Sequence, residues 1–359
     1  MRSALENPGA IRLKVELQSL GVRVRGLPGQ RAGGAGPADG ITVFIDDLVA
    51  TVPTRAEYVD RSPYSMCEAG DGYWELVKGE VPVTRVGVAA EPMFYDLETE
   101  GGVPLHKIAL RHGLDGIGST VAQTCAHGTE GCKFCAISVS REAGFTLPKK
   151  APDQLALVAA AAQAEGYSHL VLTTGTTGKD AGIKHLADCC RAVKSNSEMK
   201  MHVQFEPPPD ASLIDFAASV ADSAAINIEC FDAQVLARVA PGKARTGLDD
   251  YRHAWERTVE AFGPGQVTSF IIIGLGESPG NVMEGVRLLT SMGVYPFLLP
   301  LRPLRGTALE SWSPPAPDAI MEIYEGAANI VWEAGLSAAT CLAGCIRCGA
   351  CTAFTDITG

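Results

Sequence analysis

Three cysteines on one short stretch, Cys125-Ala-His-Gly-Thr-Glu-Gly-Cys132-Lys-Phe-Cys135, constrain this chain more than any other feature. Their spacing is C-x6-C-x2-C, directly after the extended segment Ser119 to Thr124. A closed structural metal site takes four protein ligands, whereas a catalytic one leaves a position open. Three thiolates on one loop can hold three irons of a [4Fe–4S] cube and leave the fourth iron free for a substrate or cofactor. On the loop alone, a partial zinc knuckle or three unrelated buried thiols stay open as readings.

The bulk of the chain narrows the choice. A hydrophobic content of 46% with 20% charged residues over 359 residues describes a packed globular enzyme, with room for one large domain plus appendages or for two. A net charge of −11 argues against nonspecific binding to nucleic acid or anionic membrane. The start of the chain lacks the apolar core of a signal peptide, and no apolar run is long enough for a membrane span, so a cytoplasmic protein is expected. Eleven cysteines in that compartment read as thiolate ligands rather than disulfides. Seven fall in two clusters, 125 to 135 and 341 to 351; Cys67, Cys189, Cys190 and Cys230 read as small buried hydrophobes.

Residues 1–113 predict a small α+β N-terminal domain. Gly29 to Gly40 is a glycine-rich turn leading into a strand at Ile41 to Ile45, and Val81 to Ala89 is a second extended piece. The turn reads as a structural loop, with a phosphate cradle as the alternative. From residue 114 the pattern becomes strand, loop, helix, repeated. Strands are expected at Ser119 to Thr124, His169 to Thr174, Lys200 to Glu206, Ala225 to Cys230, Val267 to Gly274 and Tyr295 to Leu301. Helices are expected at Gln154 to Glu165, Ile183 to Lys194, Ala211 to Ala221, Asp249 to Ala261, Asn281 to Met292 and Pro317 to Ala334. Such alternation means parallel βαβ units, and six in succession suit a partial TIM-type (β/α)6 barrel over residues 114–335. Chemistry in such barrels gathers where strands end, and the cysteine loop sits at the end of the first strand. Two tempting motifs fail: Gly175 to Asp180 is too short for a P-loop, and Gly274 to Gly280 lacks the opening βαβ context of a dinucleotide site.

On these residues the chain resembles the radical S-adenosylmethionine (SAM) superfamily, in its biotin synthase-like branch, over about residues 115 to 335. Phe134 stands where the family has an aromatic residue before the third ligand. The turn with Thr174, Gly175 and Thr176 occupies the place of the segment that holds the SAM amino group. Asn227-Ile-Glu229 resembles the pair that contacts ribose and amino group, and Arg245 and Arg252 lie where a basic residue meets the carboxylate. Gly274 and Leu275 resemble the segment flanking the adenine, and Leu301 to Leu309 resembles the sixth strand with its Gly-Thr exit. More narrowly, the chain is similar to a bacterial radical SAM family encoded beside nitrilases. The resemblance implies a [4Fe–4S] cluster on Cys125, Cys132 and Cys135 that cleaves SAM reductively to a 5′-deoxyadenosyl radical, which takes hydrogen from a small-molecule substrate. It also implies a one-electron donor such as flavodoxin or ferredoxin. His127 and Glu130 are read as shaping the loop, not ligating iron. The longer first spacer departs from the family's C-x3-C-x2-C. The inner strands also lack the cysteines of a biotin synthase, with Ser269 on the fifth, and Leu299 replaces a substrate-binding Asn, so this is not a biotin synthase.

Cys341-Leu-Ala-Gly-Cys345-Ile-Arg-Cys348-Gly-Ala-Cys351 makes a second cluster in a C-terminal segment, residues 336–359. Four thiols at such spacing read as an auxiliary [4Fe–4S] site, with structural zinc as the alternative. His202, Gln204 and Glu206 share one strand face by alternation, and Glu206 at the functional end is a candidate substrate contact, as is Arg302. His169, His185 and His253 read as structural. Two rival functions remain: a non-catalytic iron–sulfur electron-transfer or carrier protein, which leaves Asn227 and Glu229 without a purpose, and a zinc-stabilised barrel hydrolase, which lacks the His/Asp ligand clusters it needs.

Overall fold

The structure is a computed structural model that describes residues 7–24, 39–70 and 72–359. The glycine-rich turn expected over Gly29 to Gly40 lies, apart from its last two residues, outside the described residues. Helix α1 (Pro8–Leu20) opens the chain, with Asn7 as its N-cap accepting from Ala10 N at 3.1 Å and Pro8 in the first turn. Six short strands follow: β1 (Arg23–Val24), β2 (Gly40–Ile45), β3 (Leu48–Pro53), β4 (Tyr64–Glu68), β5 (Tyr73–Lys78) and β6 (Val81–Val88). They pair in the order β1-β4-β5-β6-β2-β3, antiparallel except at β1–β4.

A hairpin of β7 (Leu110–His112) and β8 (Gly116–Thr120) starts the second sheet. Helices α2 (Ile137–Glu142) and α3 (Pro152–Ala164) lead to β9 (His169–Thr173). Then come α4 (Ile183–Lys194), β10 (Lys200–Gln204), α5 (Ser212–Ala218) and β11 (Ser223–Ala225). Three helices, α6 (Ala233–Val239), α7 (Pro241–Thr246) and α8 (Leu248–Phe262), precede β12 (Val267–Ile273). The chain ends with α9 (Pro279–Ser291), β13 (Tyr295–Pro300), α10 (Pro317–Glu333), α11 (Cys345–Cys348) and α12 (Phe354–Thr358).

Strands β8 to β13 are parallel and lie in sequence order, each crossing back through helix, so the six βα units form a half-barrel. The strands read as apolar runs such as His169-Leu-Val-Leu-Thr and Val267-Thr-Ser-Phe-Ile-Ile-Ile because both faces are covered. The helices carry the matching stripe: in α4, Ile183, Leu186, Ala187, Cys190 and Val193 are buried at helical spacing. The expected strand at Ala225 to Cys230 is shorter, since the chain leaves the ladder after Ala225 and returns only for a bridge between Glu229 and Ile271. Helices α6 and α7 were not anticipated, being too short to show a period. Cys189, Cys190 and Cys230 are buried as expected, but Cys67 is exposed, on a strand whose alternation turns it outward. No helix among the described residues is long and apolar enough to cross a membrane.

Among the described residues β7 and β13 are the edges of the half-barrel sheet, and the C-terminal segment fills the gap and the floor. It docks on strand beginnings: Ser223 Oγ donates to Ala343 O at 3.0 Å, Gln266 Nε2 to Thr340 O at 2.9 Å, and Arg347 pairs with Asp115 at 2.9 Å. Gly344 lies flat on the buried His202 ring, where any Cβ would come within 2.4 Å of the imidazole. From the other side α1 holds the same segment. Lys14, 1% exposed, donates to Gly349 O at 3.0 Å and pairs with Asp356 at 2.6 Å, while Gln18 donates to Ala350 O. Thr51 N on β3 also donates to Ala350 O at 2.7 Å.

Two outcomes follow for stability. Lys14→Ala removes one half of a buried pair and leaves Asp356 without its cation, so it should cost about 3 kcal/mol in chemical denaturation, part of which Asp356→Asn in the same chain recovers. Burial, then the neighbouring His169, depresses His202 to about 3, so the folded chain holds it neutral. The unfolded chain binds that proton first, hence stability is full above about pH 6.5 and falls by about 1.4 kcal/mol per pH unit from there towards 3. Denaturation midpoints between pH 7 and 4 check this, and the slope should shrink in His202→Gln.

Candidate active site

The ends of the parallel strands converge on the cysteine loop. After β8 the backbone runs to Cys125, and Ala126 N donates to Thr176 O at 2.7 Å, joining the loop to the turn after β9. Gly175 in that turn is there for lack of a side chain: a Cβ would stand 1.7 Å from Thr124 O. Its N–H donates to Ala122 O at 3.0 Å. Lys133 N donates to Val239 O at 2.8 Å, tying the loop's far side to α6. Gly242 at the start of α7 approaches so closely that a Cβ would come within 2.4 Å of the His127 ring. Phe134 is half-buried against the main core beside Cys132.

Acidic and basic groups surround the three thiols. His127 Nε2 is 2.8 Å from Glu206, which follows β10, so the loop histidine meets the candidate substrate contact. Burial raises Glu206, but the Lys243 charge and hydrogen bonds from Thr176 and His127 outweigh it and hold the carboxyl below its ordinary value. Glu229 sits in the left-handed region at φ 74°, a conformation costly for a side chain. The bend aims its carboxylate at Lys243 on α7, 2.9 Å away, and the same ammonium donates to Asn227 O. Asn227 Oδ1 accepts from Phe270 N at 3.1 Å. Burial disfavours the Lys243 charge, yet Glu229, Tyr251, Cys132 and Glu206 raise it well above its ordinary value. The Tyr251 hydroxyl is fully buried and has no hydrogen-bond partner among the described residues. Burial pushes the Cys132 thiol up strongly, with Lys243 opposing and Glu229 and Cys135 adding to it; Cys135, exposed overall, is also pushed up by the protein around its sulfur.

Glu277 and Arg238 organise the β12 exit. Gly274 N donates to Glu277 Oε1 at 2.7 Å, and Arg238 donates to the carbonyl of the buried Leu275 at 3.1 Å. Gly274, at φ 104°, lies against Pro315. Arg245 pairs with Glu130 inside the cysteine loop, both half-exposed. Arg252 stands exposed on α8. Arg302 donates to Thr51 O of β3, so its guanidinium reaches the N-terminal sheet. Sequence reasoning missed Lys243, Tyr251 and Arg238. A lysine and a tyrosine on helices carry no spacing signal, and only the left-handed bend at Glu229 brings Lys243 into the site.

At the opposite end of the half-barrel, Cys345, Cys348 and Cys351 line one cavity with Thr51, His112 and Phe297. Gln204, on the same face of β10 as His202, donates to Cys345 Sγ at 3.6 Å. Burial and the neighbouring Cys351 push the Cys348 thiol up to about 12. Among the described residues no three His, Cys, Asp or Glu side chains are placed to hold a single metal ion. A cluster has a different requirement, since its ligands sit on the outer corners of a cube and need not meet at one point. Both thiol sets are chemically suited to it. Burial raises Cys132 and Cys135 in one set and Cys345 and Cys348 in the other, and an iron–sulfur core would supply the positive charge that lets such thiols ionise.

Lys243→Met should destabilise the fold by about 3 kcal/mol, because it leaves Glu229 buried without its cation. Urea denaturation measures the loss, and Lys243→Met with Glu229→Gln should recover a part of it.

No family model matches the chain. It is 33% identical over 138 residues to bacteriochlorophyllide c C-7(1)-hydroxylase of Chlorobaculum limnaeum, covering 37% of this chain and 34% of that one. It is 29% identical over 183 residues to the mitochondrial lipoyl synthase of Leishmania braziliensis, covering 49% and 46%. The chain thus spans between a third and a half of the length of these curated relatives. A solved radical SAM methyltransferase from Sphaerobacter thermophilus is 17% identical, with a TM-score of 0.46 over 76% of this chain and 75% of that one. Three thiols stand on the loop after the first of six parallel strands, and over part of its length the chain is similar in sequence to this hydroxylase and this lipoyl synthase.

Proposed function

We propose that this chain reductively cleaves SAM and uses the resulting radical to take hydrogen from a small-molecule substrate. The observation that carries the reading is the position of Cys125, Cys132 and Cys135, at the strand ends of the half-barrel and beside the buried Lys243–Glu229 pair. Those three cysteines would hold a [4Fe–4S] cluster with one open iron, which supplies the electron that breaks the sulfonium C–S bond.

The chain's own residues bind, orient and exclude water. Thr174, Gly175 and Thr176 offer backbone and hydroxyl groups to the amino group of SAM. Asn227 and Glu229 face its ribose and amino side, with Lys243 holding the Glu229 carboxylate in place. Of the two candidate carboxylate partners, Arg245 is favoured because Glu130 ties it to the cysteine loop, whereas Arg252 is exposed on α8. Gly274 and Leu275 flank the adenine, their loop braced by Glu277 and Arg238. Glu206 fixes His127 and is the favoured substrate contact, while Arg302, engaged with Thr51 O, serves the closure of the half-barrel. Flavodoxin or ferredoxin is the proposed electron donor, in a cytoplasmic setting, and the C-terminal cysteines are proposed to bind a second [4Fe–4S] cluster. The reactions named for the hydroxylase and the lipoyl synthases differ from each other, so neither is carried to this chain.

Anaerobically reconstituted protein given SAM and dithionite should release 5′-deoxyadenosine, quantified by chromatography. Cys125→Ala, Cys132→Ala and Cys135→Ala should each abolish release. A protein that carries iron and sulfide but leaves SAM intact is an electron carrier instead, and a colourless metal-bound protein is a zinc protein.

A further inference from the structure

The cysteine loop grips the corner between α6 and α7 from two sides. On one side Lys133 N, between the second and third cysteines, donates at 2.8 Å to the carbonyl of Val239, the last residue of α6. On the other, His127, in the spacer between Cys125 and Cys132, lays its ring against Gly242 of α7. A Cβ there would stand 2.4 Å from the imidazole Cγ and Nδ1, so the contact requires glycine.

The ring is itself held. His127 Nε2 meets Glu206 at 2.8 Å, and both side chains are largely buried. Thr176 bonds the same carboxylate, and Ala126 N, beside His127, donates to Thr176 O at 2.7 Å. The spacer is therefore fixed to the turn after β9 and to the exit of β10 before it touches α7. Its second link to α7, between Glu130 and Arg245, is half-exposed at both ends, and water screens such a pair to little effect. The ring contact decides where the corner sits. Helix α7 spans only Pro241–Thr246, too short to hold itself, so its place comes from what it packs on. The residue after Gly242 is Lys243, 7% exposed, which donates to Asn227 O and pairs with Glu229 at 2.9 Å.

We propose that His127 is a positioning residue: by seating Gly242 it sets Lys243 against Asn227 and Glu229, in the arrangement that binds SAM. Cysteine loop and SAM-binding residues then move as one unit, joined through an imidazole ring. This rests on the reading that Asn227 and Glu229 hold SAM.

The test uses the reconstituted full chain, anaerobic and without reductant, at matched iron and sulfide content. Equilibrium dialysis gives the affinity for SAM, and mass spectrometry gives backbone hydrogen exchange over residues 233–246 in the absence of SAM. His127→Ala should weaken SAM binding about tenfold, as for one lost hydrogen bond to a charged group, and should quicken exchange in α7. Gly242→Ala should do at least as much, because its methyl meets the ring. The two together should be no worse than His127→Ala alone, since the shortened side chain leaves that methyl room. Effects that add in the double variant overturn the ring contact. A His127→Ala protein that melts lower but keeps its SAM affinity overturns the positioning role and leaves a structural one. If Gly242→Ala does not fold, adding His127→Ala should restore folded protein, and failure to do so overturns the contact. Unsubstituted protein that binds no SAM overturns the SAM reading itself, a distinct result, because the exchange measurement needs no SAM.

Discussion

A parallel sheet of six strands is too short to close on itself, and the rest of this structure answers that geometric fact. Each strand of a full barrel pairs on both sides, whereas among the described residues β7 and β13 end the sheet around a largely buried interior. Open edges around a reactive pocket admit water, so something else must cover them. The cover is made from the two ends of the chain: α1 and β3 on one side, the segment from Ala338 to Thr358 on the other, locked together by Lys14 on Gly349 and Asp356. The N-terminal sheet thereby acquires a purpose that its own strands do not announce. Thr51 serves both partners, its N–H reaching Ala350 O and its carbonyl receiving Arg302 from beyond β13.

Inside that enclosure the charges are organised along one strand face. His202 and Gln204 on one face of β10, and Glu206 just beyond its end, meet in turn the C-terminal backbone, the Cys345 sulfur and the His127 of the cysteine loop. Two residues of strand separate consecutive members, about 7 Å, so a single element links the two thiol sets. At the upper end Lys243 sets the local field. It is a buried cation held by Glu229, with Glu206 and Cys132 close enough to favour its charge. Burial alone would neutralise it; the acids around it reverse that outcome.

Much of this architecture was readable from the sequence. Six strands and their helices emerged from runs such as Val267 to Ile273 and from the stripe on α4, because burial on both faces writes a long apolar signature. The cysteine loop declared itself by spacing and by its place after the first strand. What escaped notice lacked a local signature. Helices α6 and α7 are too short for a period, the role of Lys243 depends on a left-handed residue fourteen positions away, and Cys67 faces solvent because alternation on β4 fixes its side, not its chemistry.

Sequence alone determined the order of the βα units, the three thiols at the first strand's exit, and the presence of a second thiol group near the C-terminus. Those are local properties: periodicity, apolar runs and short spacings. Tertiary structure decided where that second group goes, which of its sulfurs face one cavity, and which acids surround the buried lysine. Such facts depend on contacts between residues up to 342 positions apart, as between Lys14 and Asp356, and no spacing along a chain encodes the direction in which a folded side chain points.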